Sequence, residues 1–386
     1  MRQIKNIRLP QPLNSNGEDF FWTICVDHSN IIRSIKRIEN HLLLDGEDWL
    51  GDWLSPMGVD LQINGGLGVA FSDLHFEQLP SIYALLDKLW LDGVEAICPT
   101  IVTSNICSLR KSLEVIRVAR ENTNQTKSCK LLGAHLEGPF LSRKFKGAHE
   151  LQYISDPSIS EIIKRIQGFE DEISLVTLAP ELKGAGEVIE FLRKNQILVS
   201  LGHSSASDEE CKAAFNSGVS MITHAFNAMN GIHHRAPGPI VEAMVNENIS
   251  VGLIADGTHI HPHIAIMLQK LFPTQLFLVS DALPLYGINA PKCFWNNQII
   301  NVDKGVCFLD DGTLAGTSLS LLEGCKNLAK WTQNISFSIW TATVSPRIAM
   351  NPGKKIEEFL LEKPLHQLLR WSFQKDTANL YWEHAK

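Results

Sequence analysis

The fold turns on the stretch ILVSLGHSSASDEECKAAFNSGVSMITHAF, residues 197–226. Two short apolar runs, ILVSLGH and SMITHAF, flank an interval of helical length, and the runs carry His203 and His224 near their ends. A strand that is apolar almost throughout is buried on both faces, the condition of a parallel sheet covered by helices. The same unit recurs in both directions. Upstream lie MGVDLQI (57–63), GVEAICPTIV (93–102), LLGAHLE (131–137) and ISLVTLAP (173–180); downstream lie SVGLIADG (250–257) and LFLVSDAL (276–283). Amphipathic segments such as IYALLDKLWLDG and IEFLRKNQ fall between them. Eight runs in succession predict an α/β fold, a (β/α)₈ TIM-like barrel. A doubly wound open sheet fits less well, because no G-x-G-x-x-G opens a helix.

Outside the barrel, taken as residues 55–345, the rhythm stops. Segments such as DFFWTICVDHSNIIRSIKRI (19–38) read as short strands and turns. Residues 1–54 and 346–386 are expected to join into a small β-sandwich domain beside the barrel, with EEFLLEKPLHQLLRWSFQ (357–374) partly helical.

Polar residues fall at one end of the runs: Gln62 and Asn64, Thr100, Glu137, Pro180, His203, His224, Asp256 and Asp281. In a barrel those ends converge on one mouth, where active sites are built. Glu137, His203 and His224 together suit a catalytic divalent ion with a position left open for water. A single histidine in a strand is more often a satisfied core residue. Three metal-ligating groups, each ending its own strand, favour a ligand set.

The background composition is that of an ordinary globular chain of 386 residues, 44% hydrophobic and 20% charged. A formal net charge of −7 argues against a nucleic-acid partner or an anionic membrane surface. The eight cysteines are scattered without a C-x-x-C pair, so neither a disulfide scaffold nor a thiolate zinc site is expected. The N-terminal MRQIKNIRLPQPLNSNGEDF has no apolar stretch after its basic residues, and the cytoplasm is the expected compartment.

The blocks PMGVDLQINGG, GAHLEGPFLSRKFKGAHE, LAPE, VSLGHSSAS, THAFNAMNGIHHRAPG, ADGTHIHP, VSDALPLYG and DGTLAGTSLSL occur in this order. Over roughly residues 55–350 the chain resembles the N-acetylglucosamine-6-phosphate deacetylases of the amidohydrolase superfamily. The resemblance implies hydrolysis of an N-acetylated sugar phosphate to the amino sugar phosphate and acetate, in amino-sugar catabolism. It implies Glu137, His203 and His224 as metal ligands, Asp281 as the acid/base, and Ala148, Asn227, Ala228, His259, Leu314 and Ala315 around the sugar. Gln62 is also expected on the substrate side. Arg235, with His259, is implied to receive the phosphate across a homodimer interface.

Chemistry agrees with these roles. An ion can acidify water and polarise an amide carbonyl, and Asp281 can move the proton that the departing nitrogen needs. An arginine offers phosphate a bidentate fork.

Two departures from the superfamily pattern stand out. Where many amidohydrolases carry H-x-H for a second ion, this chain reads Gln62-Ile63-Asn64, so one divalent ion per subunit is expected: zinc, or else iron, cobalt or manganese. The C-terminal NPGKKIEEFLLEKPLHQLLRWSF lacks the Gly-rich closing pattern. The rival readings are a cyclic-amide hydrolase or deaminase, which would use the H-x-H pair, and a catalytically silent sugar-phosphate binder, which would not need Asp281 opposite a metal.

Overall fold

The structure, a computed structural model, describes residues 1–12, 20–38, 45–122, 127–374 and 376–386. Residues 13–19 of the N-terminal stretch considered above lie outside the described residues. Strands β1 (Arg2–Ile7), β2 (Trp22–Val26) and β3 (Ile32–Arg37) form an antiparallel sheet, joined at the β1 edge by the short strand Glu47–Asp48. The DFFWTICVDHSNIIRSIKRI segment supplies β2 and β3, with a turn that Asp27 caps by accepting from the Ser29 and Ile31 amides. Strand β4 (Trp53–Pro56) then leads into the barrel.

The barrel strands are β5 (Gly58–Ile63), β6 (Val94–Val102), β7 (Ala134–Glu137), β8 (Ile173–Leu178), β9 (Leu198–Leu201), β10 (Met221–Ile222), β11 (Ser250–Ile254) and β12 (Leu276–Val279). Each pairs in parallel with the next. The ring closes where Ile63 bridges Ala282: the Asn64 amide donates to the Ala282 carbonyl at 2.7 Å, and the Asp281 amide to the Gln62 carbonyl at 2.9 Å. All eight runs read from the sequence are therefore strands of one barrel.

One helix follows each strand: α1 (Leu79–Leu91), α2 (Ile106–Asn122), α3 (Ile159–Ile166), α4 (Ala185–Lys194), α5 (Asp208–Ser217), α6 (Gly238–Val245), α7 (Pro262–Leu271) and α8 (Leu321–Thr332). Their apolar faces bury against the outer faces of the strands. Helix α5 begins where the sequence is suited to begin one, since Ser207 and Glu210 form a reciprocal capping box, and it stops at Gly218 in the left-handed conformation.

The barrel interior is packed by side chains such as Val59, Leu61, Cys98, Leu175, Met221 and Phe277. Two further helices follow, α9 (Ile335–Thr343) and α10 (Ser345–Met350). Helix α10 stoppers the N-terminal end: Ala349 joins the interior cluster, while Arg347 donates to the Met57 carbonyl at 2.7 Å. Only the opposite mouth is left for chemistry.

Between β12 and α8 the chain inserts an antiparallel sheet of β13 (Lys292–Trp295), β14 (Gln298–Asp303), β15 (Val306–Leu309) and β16 (Leu314–Thr317). It stands over the mouth. At the other end of the chain, β17 (Leu368–Gln374) pairs with β4 and with β18 (Asn379–His384). Ile4, Ile24, Ile32 and Leu54 share a core with Leu360, Leu365 and Leu368, so both ends of the chain build one small β unit. The partly helical reading of residues 357–374 holds only at its start, in the short helix Ile356–Leu360 and a single turn at Leu365–Gln367. Leu368–Gln374 is a strand because both its edges are paired and Trp371 is buried, its indole donating to Ser55 Oγ at 2.8 Å. No helix among the described residues is long and apolar enough to cross a membrane.

Candidate metal centre and active site

Glu137 ends β7, and His203 and His224 each stand two residues beyond β9 and β10. His203, His224 and Asp281 all have positive φ, at 49°, 29° and 48°. Side-chain-bearing residues avoid that region, and such conformations persist where surrounding structure forces them, commonly at functional sites. Gly202 permits the turn before His203, because an added Cβ would come within 2.7 Å of Thr177 Cγ2 and 2.9 Å of Thr223 Cβ. Glu181, of the LAPE block, fixes the loop after His203 by accepting from Ser204 Oγ at 2.7 Å and the Ser205 amide at 2.6 Å.

The Nε2 atoms of His203 and His224 are 3.1 Å apart, and each lies 3.1 Å from Oε1 of Glu137. The other nitrogen of His203, Nδ1, faces the Phe145 carbonyl at 2.8 Å. A carbonyl only accepts, so Nδ1 carries the proton and Nε2 presents a lone pair. Two imidazole nitrogens and a carboxylate oxygen thus crowd one point, an arrangement that a cation among them satisfies. Tetrahedral zinc with ligands at about 2.0–2.1 Å would set them roughly 3.3 Å apart, close to the triangle found here. The donor set therefore fits a divalent ion.

A fourth group belongs to this cluster. His149 brings Nε2 to 3.9 Å from Oε2 of Glu137 and sets its ring edge-on to His203. Ligand atoms of Glu137, His149 and His203 all lie within 4.8 Å of one another, a grouping that can itself hold one divalent ion. His149 is not singled out by the sequence reading, although it is the penultimate residue of the GAHLEGPFLSRKFKGAHE block, two residues after Gly147. Burial and the neighbouring His203 depress its pKa to about 3, so it is neutral at physiological pH. Its Nδ1 is buried without a partner, as is Nδ1 of His224.

Burial raises the Glu137 carboxyl, but the bonds with His203 and His224 outweigh it and hold the group well below the usual range. Asp281 is displaced the other way, well above that range, by burial first and the charge of Glu137 second. Two carboxyls facing one cavity with opposite displacements are what a ligand and an acid/base require. Beneath them Asp60 ties β5 to β12, accepting from the Gln62 and Ser280 amides at 3.2 Å each.

The mouth holds a cavity of about 390 Å³ that both Glu137 and Asp281 line. Ala148, Asn227, Ala228, His259, Leu314 and Ala315 also line it. His259 is anchored by Nδ1 to Asp256 at 2.6 Å. The inserted sheet adds Trp295 and Asn296 to the wall, and Gln298 of β14 latches it down by donating to the Ala148 carbonyl at 2.8 Å.

Two residues expected at the substrate do not line this cavity. Gln62 lies below the cavity and donates to Oε1 of Glu137 at 3.0 Å. Arg235 is on an exposed loop and does not line the cavity of its own chain.

A closed parallel barrel whose strand ends gather a carboxylate, histidines and a displaced aspartate defines a metal-dependent hydrolase of the amidohydrolase class. No protein-family model matches the chain. It is 35% identical over 295 residues to a mouse protein named N-acetylglucosamine-6-phosphate deacetylase, covering 74% of this chain and 71% of the relative. It is 29% identical over 332 residues to an Escherichia coli O157:H7 protein named N-acetylgalactosamine-6-phosphate deacetylase, covering 82% and 86%. Among solved structures, the N-acetylglucosamine-6-phosphate deacetylase of Pasteurella multocida superposes with a TM-score of 0.79 at 25% identity over the whole of both chains. The chain belongs to the N-acetylglucosamine-6-phosphate deacetylase family of the amidohydrolase superfamily.

Proposed function

We propose that this chain hydrolyses N-acetylglucosamine 6-phosphate to glucosamine 6-phosphate and acetate, in amino-sugar catabolism. The observation that supports this best is the convergence of Glu137, His203 and His224 on one point at the cavity that Asp281 also lines. These three residues hold one ion, with zinc expected and iron, cobalt or manganese able to replace it. We take His224 rather than His149 as the third ligand because its Nε2 is at 3.1 Å from Glu137, against 3.9 Å for His149.

Such an ion, when bound, supplies Lewis-acid polarisation of the amide carbonyl and acidifies the attacking water. Asp281 takes the proton released as water attacks and returns it to the departing nitrogen, since an amide anion is too basic to leave. Asp256 holds the Nδ1 proton of His259, leaving Nε2 to accept from a sugar hydroxyl. Ala148, Asn227, Ala228, Leu314 and Ala315 shape the sugar pocket. Arg235, exposed and outside the lining of its own cavity, reads the phosphate at the neighbouring site of a homodimer. All eight cysteines are free, in keeping with a reducing cytoplasm.

Acetate release tests the reading. The purified, metal-loaded protein should liberate acetate from N-acetylglucosamine 6-phosphate; binding without release would leave a silent sugar-phosphate binder. The relative named for the galactosamine substrate makes N-acetylgalactosamine 6-phosphate the necessary second substrate in that assay. Faster turnover of it would reassign the preferred epimer.

A further inference from the structure

The superfamily's H-x-H position is filled here by two amides, and each amide holds a carboxylate. Gln62 donates to Glu137, and Asn64 Nδ2 donates to Oδ1 of Asp281 at 2.7 Å. Asn64 is 1% exposed and lines the same cavity as Asp281. Its backbone is fixed as well, because the Asn64 amide donates to the Ala282 carbonyl at 2.7 Å while the Asp281 amide donates to the Gln62 carbonyl at 2.9 Å. The two side chains are thus braced from both sides of the seam where the barrel closes.

We propose that Asn64 is a positioning residue for the reaction: it clamps one oxygen of Asp281 and so leaves the other as the oxygen that exchanges the proton. A carboxylate at a strand end can rotate about its terminal bond, and a rotated carboxylate aims neither lone pair at the water or the nitrogen. A hydrogen bond to Oδ1 removes that freedom. An amide suits the task because its Nδ2 donates at any pH and carries no charge to compete with the ion. A side chain selected for stability alone is a poor explanation: the Oδ1 of Asn64 is buried without a partner, an arrangement that costs stability.

This inference rests on the assignment of Asp281 as acid/base, and a double-mutant cycle separates the two. The variants N64A, D281N and N64A/D281N are compared with the parent for kcat, KM, bound metal and thermal midpoint. N64A should lower kcat about 10- to 100-fold with KM and metal content within about twofold of the parent. In the D281N background the same change should have almost no further effect, because the group it positions is gone. Asn64→Ser, which keeps a donor on a shorter stem, should recover part of the loss. Equal N64A effects in both backgrounds, or a loss that tracks metal content or thermal midpoint, would overturn the positioning role. Near-normal turnover by metal-replete D281N would instead remove the assignment on which the role depends.

Discussion

His203 points its unprotonated Nε2 at Oε1 of Glu137 from 3.1 Å, with its only neutral-state proton committed to the Phe145 carbonyl. A neutral His203 therefore has no hydrogen to give to Glu137. The contact is a demand for a cation, and the backbone at His203 is held in a left-handed conformation to maintain it. The first prediction follows directly. Elemental analysis should find one tightly bound divalent ion per chain, and chelation should abolish acetate release until one equivalent is returned. Two ions per active chain would contradict the role given to Gln62 and Asn64.

The overlap of two candidate ligand sets has its own discriminator. His224→Ala should strip the ion, whereas His149→Ala should retain it while impairing turnover. Loss of metal from the His149 variant with retention in the His224 variant would exchange their roles.

Replacing Asp281 with Asn keeps its size but removes the base. Turnover should fall by at least about 10²- to 10⁴-fold, with metal content near that of the parent. Near-normal turnover by the metal-replete variant would remove the acid/base role, since no helix begins at Asp281 for it to cap.

Arg235→Ala should raise KM for the phosphorylated substrate far more than for N-acetylglucosamine itself, since a charge-assisted contact is lost only in the former. Equal effects would show that Arg235 does not read phosphate. Sedimentation should report a dimer for the active species, and an active monomer would exclude reading across an interface.

A prediction remote from the site concerns Glu95, which binds Arg347 and, at 2.9 Å, Lys363. Burial would raise its carboxyl, but Arg347 and then Lys363 overcome this and bring the pKa from 4.5 to about 2. A carboxyl lowered on folding stabilises the native state above its unfolded pKa, and that stability drains away as pH falls through the folded one. Glu95→Gln should therefore cost roughly 2–4 kcal/mol at pH 7 in denaturant unfolding. The gap from the parent should begin to close below about pH 4.5 and continue closing toward pH 2. A gap independent of pH would show that packing, not charge, is what Glu95 provides.

The barrel was legible because its strands are buried on both faces and read as continuous apolar runs, so each polar residue at a run's end stood out. Glu137, His203, His224 and Asp281 were found in that way, and the structure gathers all four at one cavity. His149 escaped because it lies in a loop, where no periodicity marks it. Gln62 stands near the end of its strand at the mouth, but spacing along a strand does not say how deep a side chain lies, and the contact it makes here is with Glu137. The roof sheet was visible only as the DGTLAGTSLSL block. Its hairpin does carry a local signal: Asn296 and Asn297 sit at φ 51° and 57°, as an Asn-rich two-residue turn demands. The strand Leu368–Gln374 was obscured by leucines that suit a helix equally well. Its pairing with Trp53, more than 300 residues away, is information that no local window contains.

That distant pairing has a consequence for how the molecule is made. While a ribosome is still producing the barrel, β4 has emerged but β17 has not, so Trp53 and Leu54 wait with one edge open through most of translation. The loop to be closed spans nearly the whole chain, and contacts of such separation form late. Completion of the small β unit is in this sense a proofreading step: a chain cut short before residue 368 keeps an apolar edge exposed, the kind of surface that chaperones and proteases engage.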